Sequence, residues 1–271
     1  PVGKAAPLAR GLPVEIEQPR ALPGTATVHF IADIPLEKNV YYLNFDAESV
    51  SDEFNGGAVD PRWEWIRENK EAHSLTRKTG SLTITSETGG VLEATNNAKN
   101  ILLQSANNDW TIETRLVCSR TPSQPENAGI LVYQNDDNFV KLMFRAVIKT
   151  TRARGVQPGT IDLVMEENGI AKSLATFNLR NEVIGDNALT LKLEKKGSNY
   201  TAYYSTDGKT FELLGTAGML LKDIRAGLIV CDGIVTQYMK STFWFDSDAT
   251  KPDTPFDVSF DYFRIKNSGL K

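Results

Sequence analysis

Hydrolysis of a glycosidic bond needs two carboxyl groups facing each other across the scissile atom, roughly 5 to 9.5 Å apart. The chain offers Glu113 in the run WTIETRL and two adjacent pairs, Asp136-Asp137 and Glu166-Glu167. Neighbours in an extended strand point to opposite faces. Both pairs also stand beside turn residues, so they read as solvated turn carboxylates and not as an acid with its base. A nucleophilic triad needs an imidazole. The histidines are His29, in a proline-rich stretch, and His73, in a charged loop, and there is no G-x-S-x-G elbow. Both are expected at the surface. Cys118 and Cys231 have no metal-ligand spacing, and the sequence leaves their pairing open. Phosphate loops and dinucleotide fingerprints are missing too. No residue is therefore assigned a catalytic role.

The elements that would position any site must come from a chain of 271 residues with 30 Lys+Arg, 34 Asp+Glu and a net charge of −4. At this length roughly three quarters of the unfolded surface can be buried. No apolar run approaches the ~20 residues of a membrane-spanning helix. The scattered basic residues make no footprint for nucleic acid or an anionic membrane, so neither is an expected partner. The opening PVGKAAPLARGLP lacks the apolar centre of a signal peptide. The expectation is that such a segment was removed or that the chain is one piece of something larger.

Residues 1–40 read as a proline-rich arm or linker with one short strand, Ala26 to Ile31. Beyond Tyr41, short runs of alternating apolar and polar residues are separated by Gly, Asn, Asp and Pro, the period of half-buried strands. Examples are Trp110 to Val117, Ala128 to Tyr133, Leu189 to Glu194 and Val258 to Ile265. Many short strands with few helices describe an all-β sandwich or barrel over residues 41–271. Asp60-Pro61 could open a helix, but Trp63 and Trp65 stand two apart, so strand then loop is expected there. Ala217 to Ile224 is compatible with a single helical turn. Asp207-Gly208 marks a tight hairpin.

An ordered set of motifs carries a resemblance: Ser51 to Trp65 (SDEFNGGAVDPRWEW), Asn100 to Gln104, WTIETRL, Ala128 to Tyr133, Asn138 to Leu142, Tyr203 to Gly208, Arg225 to Leu228 and Phe260 to Phe263. Together they resemble the concanavalin A-like domain at the C-terminal end of family-43 glycoside hydrolases such as β-xylosidases, over about Asn44 to Lys266. The resemblance implies a jelly-roll of two curved antiparallel sheets, with a concave groove that often meets polysaccharide in relatives. It implies an accessory or carbohydrate-binding module of a secreted or periplasmic enzyme whose catalytic domain lies outside this chain. Glycosidases sharing this fold place carboxylates in an E-x-D-x-x-E pattern on one strand, and no strand here has it.

A pyranose stacks its C–H face on an aromatic ring and hydrogen-bonds through its hydroxyls, and the candidates for such contacts are Trp65, Gln104, Tyr133, Lys141 and Arg145. Alternation groups Val140, Leu142 and Phe144 on one face and Lys141, Met143 and Arg145 on the other. The resemblance also implies a structural Ca²⁺, expected at Asp261 of the last strand with Asp52 or Asp46 near the first. The same alternation puts Val258, Phe260 and Tyr262 on one face and Ser259, Asp261 and Phe263 on the other. Val235 to Phe245 carries Tyr238, Phe243, Trp244 and Phe245, and at least one of these rings must meet another loop, the proline-rich arm, a partner domain or a ligand. Two readings compete with the binding module: a complete small glycosidase or lyase on the same fold, and a structural domain whose groove is filled by a loop.

Overall fold

Over Trp110–Cys118 the chain alternates buried and half-exposed residues without a break, as a strand with one buried face requires. The computed structural model extends that pattern into sheets. It describes residues 49–119, 126–145, 159–179, 188–232 and 256–268, and the backbone of strands 14–17, 24–30 and 40–45. The chain divides into two units, Pro1–Glu48 and Ser49–Lys271. In the first, β1 (Val14–Glu17), β2 (Gly24–Phe30) and β3 (Val40–Phe45) form an antiparallel sheet in that order. The stretch read from sequence as the start of the sandwich thus pairs with β2.

The second unit begins with β4 (Glu64–Ile66), β5 (His73–Ser74), β6 (Leu82–Thr85), β7 (Val91–Leu92), β8 (Thr95–Asn96), β9 (Ile101–Ser105) and β10 (Trp110–Cys118). It continues with β11 (Glu126–Asn135), β12 (Asn138–Arg145), β13 (Gly159–Glu167), β14 (Ile170–Leu179), β15 (Ala188–Lys196), β16 (Asn199–Ser205), β17 (Glu212–Gly218), β18 (Arg225–Asp232) and β19 (Asp257–Asn267). One seven-stranded antiparallel sheet runs β17-β16-β15-β10-β19-β6-β5, called here the β10 sheet. The other, the β12 sheet, runs β14-β13-β12-β11-β18-β9-β4. A single apolar core lies between them, with Trp110, Leu191, Tyr200 and Phe260 from the first sheet facing Ile130, Leu142 and Leu228 from the second. Each such side chain contributes about 1.5–3 kcal/mol by leaving water.

Where the sequence suggested a helix, a turn of 3-10 helix spans Lys70–Ala72, after the β4 strand, and it is the one helical element among the described residues. Ala217 to Ile224 contains none: β17 runs through Gly218, and the next residues cross to β18 with a bend at Lys222-Asp223, where Asp223 has φ 47°, burying Met219, Leu221 and Ile224. Cys118 lies in the inner core and Cys231 in a second cluster outside the β12 sheet, with no disulfide between them. The edge strands β14 and β17 each carry one extra residue, Leu174 and Leu214, at a register shift against their neighbours. Among the described residues, no helix is long and apolar enough to cross a membrane.

Candidate functional site

The outer face of the β10 sheet is an ordinary solvated surface. Lys192 Nζ lies 4.4 Å from the ring centre of Tyr203 and 4.2 Å from that of Phe211. Arg264 covers Tyr262 and grips both oxygens of Glu53, and the Tyr262 hydroxyl donates to Glu113 at 2.7 Å. The arginine's hydrogen bonds hold the Glu53 carboxyl below its usual value.

The outer face of the β12 sheet differs. Phe139, Lys141 and Met143 point away from the core, yet all are buried, and the chain from Ser86 to Asn100 folds back over Phe139 and Lys141. Its β7–β8 hairpin places Val91, Leu92 and Ala98 against Leu131, Tyr133, Phe139 and Ile229, a second apolar cluster. Charged side chains of the sheet hold its backbone. Lys141 Nζ donates to the Val91 carbonyl at 3.1 Å, Glu166 Oε2 accepts from the Glu93 amide at 2.7 Å, and Arg67 Nε donates to the Ala98 carbonyl at 2.6 Å. Burial pushes Lys141 below the usual lysine range and Glu166 above the usual carboxylate range.

Beyond the hairpin, β12, β13 and β14 carry a polar half of the same face. Asp162, 2% exposed, accepts from Arg145 Nε at 2.7 Å, from Thr160 Oγ1 at 2.7 Å and from Thr176 Oγ1 at 2.6 Å. Arg145, Thr160 and Asn178 stand in register across three strands. Asp162 therefore fixes the guanidinium, while Thr176 and Asn178 remain exposed. Such an arrangement offers hydrogen bonds to a hydroxyl-rich ligand from groups already oriented.

The residues expected at a glycan site are dispersed. Arg145 is on the polar half. Lys141 and Tyr133 share its face but lie under the hairpin, the Tyr133 hydroxyl donating to Asp136 at 3.0 Å. Burial and that acidic neighbour raise the Tyr133 phenol to about 12. Trp65 points the other way, packing on the inner core and stacking on His73 at 4.1 Å. Gln104 shares the inward side with Leu102 and holds Val50 through both amide atoms, accepting from its N–H at 2.7 Å and donating to its carbonyl at 2.8 Å. That pairing copies a strand ladder at the sheet edge.

Glu166 corrects the sequence reading: it is 0% exposed and not a solvated turn residue, because the hairpin covers the end of β13. It cannot work with Glu113, which lies on the opposite outer face of the sandwich. His73 is half-buried and hydrogen-bonds Glu68 at 3.0 Å. Asp136 pairs with both terminal nitrogens of Arg67.

Calcium does not fit the carboxylates described. Asp261 is the extra residue at a β-bulge opposite Arg115/Leu116, so Phe260 and Phe263 both face the core and Tyr262 faces out, against the simple alternation. Its Oδ1 accepts from Lys78 Nζ and Ser81 Oγ and its Oδ2 from Arg115 Nη1, so two cations already neutralise it. Asp52 accepts from the amides of Phe54 and Asp60 and from Trp63 Nε1. Calcium needs six to eight oxygens, and these oxygens face donors. Asp46, like Val235 to Phe245, lies outside the described residues. Among the described residues no group of three or more His, Cys, Asp or Glu could hold a metal.

Comparison with known proteins adds three findings. Residues 51–229 match the family profile described as the β-xylosidase C-terminal concanavalin A-like domain. Solved structures of similar fold include the GH43 protein BlXynB of Bacillus licheniformis, at TM-score 0.63 and 15% identity, covering 94% of this chain and 53% of that one. The xylan β-1,4-xylosidase of Bacillus halodurans C-125 is similar at TM-score 0.60 and 13% identity, covering 94% of this chain and 53% of that one. A functionally unknown Saccharomyces cerevisiae protein is similar at TM-score 0.52 and 16% identity over 77% of this chain and 98% of its own. The chain thus spans about half the length of the two bacterial proteins, at identities that show likeness of fold. No curated protein sequence matches.

Proposed function

The chain belongs to the β-xylosidase C-terminal concanavalin A-like domain family, and from that premise we propose that it is an accessory module that binds a plant-type glycan on the outer face of its β12 sheet. The observation carrying this reading is Arg145, whose guanidinium is fixed by the buried carboxylate of Asp162, on the same face as the exposed Thr176 and Asn178. A fixed donor loses little freedom when it takes up a hydroxyl pair. The reading includes a catalytic domain elsewhere in the parent polypeptide and an extracytoplasmic address, where polysaccharide polymers are found. Calorimetric titration with xylo-oligosaccharides tests it. Binding that weakens at least tenfold in Arg145→Ala, with the fold retained, is expected; no binding by the unaltered chain would overturn it.

A second reading, a structural domain with its groove filled, is favoured by the hairpin that covers the other half of this face. The same titration separates the two.

A further inference from the structure

The polar half of the β12 face presents hydrogen-bonding groups, while the outward rings of that face, Tyr133 and Phe139, lie under the hairpin. A pyranose needs both kinds of surface. The covering segment is also poorly compensated. Four buried side-chain polar atoms lack a hydrogen-bond partner among the described residues, and three of them, Ser86 Oγ, Asn96 Oδ1 and Glu166 Oε1, lie within it or beneath it. Each such atom costs free energy that water would return. The backbone adds strain, with Glu93 at the hairpin tip at φ 51° and Asn100 at its end at φ 52°. Gly89 sits at φ 144°, where a Cβ would lie 3.0 Å from the Asn97 carbonyl oxygen.

We propose that residues 87–99 are a displaceable strap that occupies the aromatic half of the glycan face in the resting protein, so that glycan and strap compete for the same side chains. The inference rests on the glycan-binding reading above. Lys141 and Glu166 hold a carbonyl and an amide two residues apart in the strap. A sugar hydroxyl both accepts and donates, so it can replace Val91 O on Lys141 and the Glu93 N–H on Glu166. Its C–H face takes the place of Val91 and Leu92 over the rings. Release of the strap then lets water reach Ser86 and Asn96.

Hydrogen exchange on the full chain, with and without saturating xylohexaose, tests this together with titration of Arg67→Gly. That substitution removes the guanidinium holding the Ala98 carbonyl, at a position whose φ of 53° suits glycine. It leaves Lys141, Glu166 and Phe139 in place, and Asp136, freed of its pairing with Arg67, still accepts from the Tyr133 hydroxyl. The expected results are at least tenfold faster exchange of amides 90–98 under glycan, and a several-fold lower apparent Kd in Arg67→Gly, since affinity scales with the open fraction. If the unaltered chain binds xylohexaose while those amides keep their protection, the strap proposal falls and the glycan face stands; this comparison needs no variant. Equal affinity of the two proteins has the same meaning. If neither protein binds xylohexaose, the glycan reading falls and takes the strap with it.

Discussion

The two outer faces of the sandwich carry similar residue types under opposite conditions. On the β10 sheet, Arg264, Lys192, Glu113 and Asp261 meet solvent, and each has a ring or an opposite charge at hand. On the β12 sheet, Lys141, Asp162 and Glu166 are all at most 3% exposed. Exposed ion pairs are screened by water and contribute little, whereas a buried charge destabilises the fold unless its partners are complete. Asp162 has them and Glu166 does not. The difference directs the functional reading to the β12 face, where buried charge is held in place and one carboxylate oxygen is left without a partner.

Asp162→Ala would break this contrast most severely. Removing the acceptor shared by Arg145, Thr160 and Thr176 is expected to cost about 3 kcal/mol in urea unfolding. Gly227→Ala comes next, since its Cβ would overlap the Leu102 carbonyl oxygen and lie 3.0 Å from the Leu103 Cα. A loss of about 2 kcal/mol by the same measurement is expected. Tyr200→Phe should act in the opposite direction, because the Tyr200 hydroxyl is buried in the inner core without a partner. A gain of about 1 kcal/mol is expected in thermal unfolding. Burial raises the Tyr200 phenol from 10.0 to about 12. The unfolded chain therefore ionises first, and stability falls as pH rises from about 10 to about 12. Tyr200→Phe should remove that part of the alkaline loss; an identical slope in both proteins would contradict it. Glu53→Ala, on the solvated face, should change stability by only ~0.5 kcal/mol despite its two-pronged contact with Arg264. A cost near that of Asp162→Ala would erase the contrast between the faces.

Most of the sandwich was legible because alternation writes a strand's buried side directly into sequence, as in WTIETRL. The same rule placed Lys141 and Arg145 together on the outer side of β12. It failed at Asp261, where one inserted residue reverses the facing of everything after it, and an insertion of that kind has no signature in a single sequence. Gln104 was misjudged for another reason: its polarity suggests a surface, while its amide substitutes for a strand at an inward edge position. The strap was the largest omission. Nothing local to Val91, Leu92 and Ala98 tells that they cover a sheet from outside. Glu166 followed from that omission, since a carboxylate beside Asn168-Gly169 reads as solvated until something is known to lie over it.

The extra residues in β14 and β17 have a consequence for behaviour at high concentration. These strands end their sheets on the same side of the sandwich, where a Cβ on Gly215 would come within 2.7 Å of the Ala175 Cβ. A straight unpaired margin is a template on which other molecules can add strands of their own. Here each margin is bent once by its surplus residue and drawn toward the other, so neither offers an unbroken row of open amides and carbonyls to seed fibrils. Deleting Leu174 or Leu214 would straighten a margin, and the protein's tolerance of crowding would be expected to fall with it.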